Sequence, residues 1–290
     1  PGALQAVHHL NLAHGLAIEA LREVVTNDPQ YSITLNLHVL RAEAGSGESG
    51  ADALRQIDAL ANRAFTGPLL HGAYPADLLA DTSGITDWSF VLDGDLERIR
   101  QPLDVLGVNY YATTLVRRWD GSSPRLMADG HKDMGGSPWP GADDVEFLPQ
   151  EGPYTAMGWN IDPSGLYELL LALRDEFPEQ PLMITENGAA FDDVVTTDAD
   201  GTPRVHDPLR VDYLQRHFTA AHRAREAGVD LRGYQVWSLL DNFEWGYGYS
   251  KRFGIVRVDY DTQERTPKDS ALWLKRLIET RAIPATDDLG

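Results

Sequence analysis

The chain has 290 residues, 42% of them hydrophobic and 24% charged, the composition of a folded globular protein and not of a disordered one. Asp and Glu number 44 against 25 Lys and Arg, a net charge of −19. That argues against a nucleic-acid partner, which needs a positive surface. No run of about 18 apolar residues could span a membrane. The absence of cysteine excludes disulfides, thiolate metal sites and thiol nucleophiles together.

In chain order, residues 3–25 predict a helix, because Leu4, Val7, Leu10, Ala13, Ala17, Ile18, Leu21 and Val24 recur at steps of three and four. Asn27-Asp28-Pro29 stops it. Residues 31–39 predict a strand, residues 50–65 a second helix and residues 105–111 a second strand. Residues 120–153, rich in Gly, Pro, Ser and Asp, predict loop. Asp162-Pro163 reads as an N-cap followed by Pro at the first helical position, opening a helix to about Phe177. A short buried strand covers residues 181–187. Asp207-Pro208 opens a further helix, closed by Gly228. A strand over 231–238, a hairpin over 253–266 and a last helix opened by Thr266-Pro267 complete the chain near Arg281.

Alternating helices and strands predict parallel βα units, with the site above the strand ends. Four such strands already take up 290 residues. A closed barrel needs eight, and with loops this long it would need well over about 400 residues. The chain is therefore an open four-stranded α/β sheet or half of a barrel. No linker interrupts it, so residues 1–290 read as one domain without an internal boundary.

Three strand ends carry chemistry. In Ile184-Thr-Glu-Asn-Gly188, Glu186 ends a short buried strand just before a glycine turn. Taken alone, such a carboxylate fits a loop cap or an arginine partner as well as catalysis. In Val236-Trp-Ser-Leu-Leu-Asp-Asn-Phe-Glu-Trp-Gly-Tyr247, Trp237, Glu244 and Trp245 follow another strand. Indole faces stack on the C–H faces of sugar rings, and carboxylates accept from vicinal hydroxyls. A core strand with a solvated loop is the plainer alternative. Asn109-Tyr110-Tyr111 ends a third strand, and a tyrosine hydroxyl beside a carboxylate orients it.

Together these segments resemble one family, the retaining β-glycosidases of glycoside hydrolase family one. The resemblance runs along the whole chain. It rests on Leu106-Gly-Val-Asn-Tyr-Tyr111, Gly158-Trp-Asn-Ile-Asp-Pro-Ser-Gly165, the two motifs around Glu186 and Glu244, Gly248-Tyr-Ser-Lys-Arg-Phe-Gly254 and Thr266-Pro-Lys268. It implies a (β/α)8 TIM barrel of which this chain supplies roughly the second half, strands five to eight. It also implies that Glu186 is the nucleophile, hydrogen-bonded by Tyr111 with Asn109 nearby. Trp237 would floor the sugar site. Glu244 would bind the far hydroxyls beside the Trp245 indole N–H, Phe253 would close that wall, and Trp159 would line the aglycone entrance. Phosphorylated sugars are disfavoured, since Glu244 would repel a phosphate dianion. The implied substrates are β-glucosides or related oligosaccharides, with fucosides or galactosides as further candidates.

In this family the second carboxyl, the acid/base, belongs to a Thr-x-Asn-Glu-Pro motif, and no Asn-Glu-Pro occurs in these 290 residues. The expectation is that the chain starts just past that residue and is inactive alone. It would pair with a missing N-terminal half, or self-associate through the open strand edges of a half-barrel. The alternative is a non-catalytic half-barrel. No phosphate-cradling glycine loop and no His-Glu-x-x-His occur, so neither a cofactor nor a metal is expected. His8, His9 and His14 read as surface or interface residues, and Asp198-Ala-Asp200-Gly201 as a surface turn. Asp207, Arg210 and Tyr213 read as organising a helix start. A cytoplasmic location fits the lack of cysteine, as do many secreted bacterial proteins.

Overall fold

The computed structural model describes residues 1–128, 139–199 and 201–287. Two compact units divide it. The first comprises Pro1–Gly107, Thr113–Gln150 and Phe177–Gln180, the second Val108–Ala112, Glu151–Glu176 and Pro181–Gly290. Among the described residues no helix is long and apolar enough to cross a membrane.

The first unit contains helix α1 (Gly2–Val24), strands β1 (Ser32–Asn36) and β2 (Val39–Ala42), and helices α2 (Gly47–Asp58), α3 (Ala64–Thr66), α4 (Ala76–Asp81) and α5 (Asp95–Ile99). The first part of β3 (Val105–Asn109) follows, then β4 (Thr113–Arg118) and β5 (Val145–Leu148). The run expected as one strand over 31–39 is two. The backbone of His38 donates to Asn62 Oδ1 at 2.8 Å, and its carbonyl accepts from Asn62 Nδ2 at 2.9 Å. One side-chain amide thus takes both backbone groups of His38 out of any ladder. β1 ends there, and β2 joins a separate sheet in the order β2-β4-β5. β5 lies inside the stretch expected to be loop, while residues 129–138 of that stretch lie outside the described residues.

Residues Leu4, His8, Asn11, Gly15 and Ile18 form the buried face of α1. His8 is therefore not a surface residue, which corrects the expectation. Its Nδ1 lies 3.0 Å from the Tyr74 hydroxyl and its Nε2 3.0 Å from Asp95 Oδ2. The spacing that brings Leu4 and Asn11 inward also carries position 8 inward, and two polar partners satisfy the ring.

The second unit contains the end of β3, then α6 (Pro163–Glu176), β6 (Leu182–Asn187), β7 (Val195–Thr197), β8 (Pro203–Val205), α7 (Pro208–Glu226), β9 (Leu231–Val236), β10 (Val256–Val258), β11 (Arg265–Pro267) and α8 (Asp269–Thr280). Asp162 caps α6 as expected, accepting from the Ser164 N–H at 3.0 Å. The cap sets the start at a gain of about 1 kcal/mol. The buried stripe Leu166, Leu169, Leu170 and Leu173, at roughly 1.5–3 kcal/mol per side chain, is what holds the helix down. The principal sheet has the order β1-β3-β6-β9, and β6 and β9 run parallel. The expected hairpin is β10–β11, with Val256 opposite Pro267. Pro267 thus closes a strand instead of opening the last helix, which begins at Asp269. β7 and β8 flank the turn at Asp198, whose expected member Asp200 lies outside the described residues.

His217 on α7 is fully buried. Its Nδ1 lies 2.7 Å from the Tyr213 carbonyl, which can only accept, so Nδ1 carries the proton. Nε2 is buried and has no hydrogen-bond partner. Burial lowers its pKa from 6.5 to about 4. Between these values the unfolded chain binds a proton that the folded chain refuses. Stability is therefore complete above about pH 6.5 and falls as pH drops toward 4, by roughly 3 kcal/mol for this group. Urea unfolding at pH 7 and pH 4.5 should show this loss, and His217→Phe should flatten the difference.

Candidate active site

β6 delivers Glu186 to the end of the sheet, and β3 delivers Asn109, Tyr110 and Tyr111 beside it. The Tyr110 N–H donates to the Glu186 carbonyl at 3.0 Å, the last backbone link between these segments before their side chains take over. The Tyr111 hydroxyl donates to Glu186 Oε2 at 2.8 Å. Burial first, then the charge of Glu186 and the hydrogen bond to it, push the Tyr111 phenol far above its usual range. The hydroxyl therefore stays protonated and remains a donor at any working pH. Thr185 Oγ1 donates to Asn109 Oδ1 at 2.8 Å, which leaves the Asn109 amide nitrogen as the donor end of that side chain.

Two aromatic rings close around Tyr111. Trp159 lies at 5.2 Å between centroids, tilted by 58°, and Phe253 at 6.4 Å, nearly edge-on. Phe253 is buried. Trp159 rides on the turn from Thr155, where Gly158 adopts a φ of +78°. That turn is held from two sides. Ala156 N–H donates to the Ala190 carbonyl at 2.8 Å, and Lys251 Nζ donates to the Ala156 carbonyl at 2.6 Å.

The segment after β9 carries the remaining expected residues. Trp237 N–H donates to the Asn187 carbonyl at 3.0 Å, and a cis peptide joins Trp237 to Ser238. Ser238, Leu239 and Asp241 then pair through their backbones with residues 253–256. Glu244 is half-buried, and its Oε2 accepts from Asn242 Nδ2 at 3.1 Å. Trp245 stands out from the surface at 84% exposure.

The structure thus brings Glu186, Tyr111, Trp159 and Phe253 into one cluster, joins Asn109 to it through Thr185, and hangs Trp237, Glu244 and Trp245 on the neighbouring strand and its loop. Asn187 was quoted only as part of a motif, yet it is the buried pin of the site. Its amide nitrogen donates to the Tyr110 carbonyl at 2.8 Å and to the Tyr213 hydroxyl at 2.9 Å, and its oxygen accepts from Tyr234. Tyr213, expected to organise a helix start, reaches the site in this way. Asn242, which the sequence offers only as one polar member of its segment, is the residue that holds Glu244.

A sequence profile of the family described as Glycosyl hydrolase family 1 matches residues 2–283. A bifunctional β-D-glucosidase/β-D-fucosidase of Bifidobacterium breve is 51% identical over 96% of this chain and 58% of its own length. A thermostable β-glucosidase B of Thermobispora bispora is 44% identical over 98% of this chain and 55% of its own length. Among solved structures, a psychrophilic β-glucosidase from Micrococcus antarcticus superposes with a TM-score of 0.86 at 44% identity, over 96% of this chain and 58% of that one. A β-glucosidase from Thermotoga maritima in complex with deoxynojirimycin gives 0.81 at 38%, over 96% and 57%. The chain therefore spans a little more than half the length of these relatives, and its fold is part of a (β/α)8 barrel.

Proposed function

The chain belongs to glycosyl hydrolase family 1, and from that membership together with the Tyr111–Glu186 hydrogen bond we propose that it carries the nucleophile and much of the sugar-binding shell of a retaining β-glycosidase. We read residues 1–290 as one part of a single barrel domain, strands five to eight of it. The 2–283 span of the family match supports that reading.

Glu186 attacks the anomeric carbon, the glycosidic bond breaks and a glycosyl ester forms. The leaving oxygen takes its proton from a second carboxyl, which then draws a proton from water as that water cleaves the ester. We assign the second carboxyl to polypeptide outside these 290 residues, because the Asn-Glu-Pro motif occurs nowhere in them. Tyr111 holds Oε2, so the other oxygen faces the sugar. Asn109 donates from its amide nitrogen. Trp237 floors the ring, Glu244 and the Trp245 indole bind the far hydroxyls, Phe253 backs that wall through Tyr111, and Trp159 borders the aglycone. The substrate is an unphosphorylated β-glycoside, a terminal β-D-glucosyl residue first, with fucosyl and galactosyl as further candidates. The name of the Bifidobacterium breve relative supports the first two.

Phe243, Trp245 and Tyr249 are 58%, 84% and 57% exposed. Phe243 and Tyr249 lie 5.4 Å apart between centroids, Trp245 stands on the same loop, and exposed rings in such number call for a cover. We place the remainder of the barrel over them, and the second reading places another copy of this chain there. Native mass spectrometry separates the two by the mass of the partner.

The single observation that carries the reading is the Tyr111 hydroxyl on Glu186 at the end of β6. A dinitrophenyl 2-deoxy-2-fluoro-β-glucoside tests it, because so good a leaving group departs with little proton assistance. The expected result is a gain of one fluoroglucosyl unit, mapped to Glu186. Labelling at another residue, or none in a particle that hydrolyses nitrophenyl β-glucoside, overturns it. Tyr111→Phe should lower kcat by about 10–100-fold with a smaller change in KM, the weight of one hydrogen bond to a charged group at roughly 1.5–3 kcal/mol.

A further inference from the structure

Two buried cations bridge the same two loops. Past the Trp237–Asn187 backbone bond the segments after β6 and β9 leave the sheet. Lys268, fully buried, then places Nζ on Asp193 of the first loop and on Asp241 of the second, the latter at 3.0 Å. Arg210, also buried, repeats the pattern. It binds Asp193 at 3.0 Å and the Ala189 carbonyl at 3.2 Å in the first loop, and the Arg252 carbonyl at 2.9 Å in the second. Asp241 in turn accepts from the Gly254 and Val258 N–H groups at 3.1 and 3.2 Å and from the Arg252 guanidinium. It sits three residues before Glu244, and Asp193 seven after Glu186.

We propose that Lys268 and Arg210 are positioning residues that couple the loop after Glu186 to the loop carrying Glu244, so that nucleophile and sugar-hydroxyl acceptor are held as one body. The proposal rests on the reading of Glu186 and Glu244 given above. Burying charges for stability alone is a poor device, since apolar side chains of similar volume do as well or better. What the charges add is geometry. Each cation has partners on both loops, so parting the loops takes a partner away from a buried charge, while Arg210 also keeps Asp207 of its own helix start. Burial first, then the charge of Arg210, lowers the Lys268 pKa, and Asp193 and Asp241 oppose that shift.

Hydrogen–deuterium exchange tests the coupling without requiring turnover. The variants are Lys268→Met, Lys268→Arg and the double exchange Lys268→Met with Asp241→Asn, which removes one charge of each sign and keeps the buried cluster balanced. Exchange should rise about tenfold or more in both 188–194 and 237–255 in Lys268→Met and in the double variant. Helix α6 and the β7–β8 hairpin should keep wild-type protection, and Lys268→Arg should restore both loops. In the hydrolysing particle, KM should rise more than kcat falls. A change confined to residues 237–255, no change in either loop, or a uniform rise across the second unit overturns the proposal. Failure to label Glu186 would instead overturn the hydrolase reading and leave the exchange result standing.

Discussion

In a particle that hydrolyses nitrophenyl β-glucoside, Glu186→Gln is expected to lower that hydrolysis by at least about 10⁴-fold, because it removes the atom that forms the glycosyl ester. The substitution is close to isosteric. Tyr111 can still donate to the amide oxygen where it now donates to Oε2, so the local geometry survives. The loss is of nucleophilicity and charge, and the melting temperature should stay near that of the wild type. The fluoroglucosyl adduct should vanish with the activity. Glu186→Ala separates a nucleophile from a residue that merely binds sugar. With the carboxylate gone, added azide can enter the space and attack the anomeric carbon of a dinitrophenyl glucoside. The product would be the α-glucosyl azide, inverted because only one displacement has occurred. Unchanged turnover in Glu186→Gln, or no azide product from a variant that still binds glucoside, would remove Glu186 from the nucleophile role.

Much of this site was legible in the sequence because it is local. Glu186, Trp237 and Tyr111 each end a strand, and strand ends in βα units face the site. The helices were legible for the same reason. Asp162-Pro163 announces α6 through a cap whose partner, Ser164, is two residues away. What escaped depends on contacts between distant segments. The break at His38 is made by Asn62, and no pattern within residues 31–39 reports a side chain 24 positions on. His8, on a helix without metal-ligand spacing, reads from sequence as a surface or interface residue. Its burial needs Tyr74 and Asp95, which sequence spacing does not reveal. Asp207 signals a helix start, and α7 does begin there, but its carboxylate turns away to the Ser270 N–H at 2.8 Å, in the first turn of α8, and to Arg210. Lys268 stood in a motif with no evident purpose, and only the fold sets it between Asp193 and Asp241.

Gly188→Ala should do more damage than any change to a side chain around it. A Cβ at position 188 would lie 1.8 Å from the Trp237 carbonyl oxygen, 2.8 Å from its carbon and 3.3 Å from its Cα. All three are backbone atoms in a segment already tied to its neighbours. Trp237 N–H is on Asn187, and the next residue, Ser238, is paired with Phe253 and Ile255. A flexible side chain could swing aside from a methyl group, but this segment can move only by parting the ends of β6 and β9. That would break the Trp237–Asn187 bond and carry the backbone of Trp237 away from the end of β6. A clash of this depth belongs with overpacking and backbone strain, at about 4 kcal/mol or more. Against a typical total of roughly 5–15 kcal/mol, that leaves a marginal fold or none. Gly84→Ala is the matched control, since a Cβ there meets nothing within 4 Å, and it should shift the denaturation midpoint by no more than about 0.5 kcal/mol. Equal midpoints for the two variants would mean that the strand ends have room to separate. Glu186 and Trp237 would then be held together by something other than the close approach at Gly188.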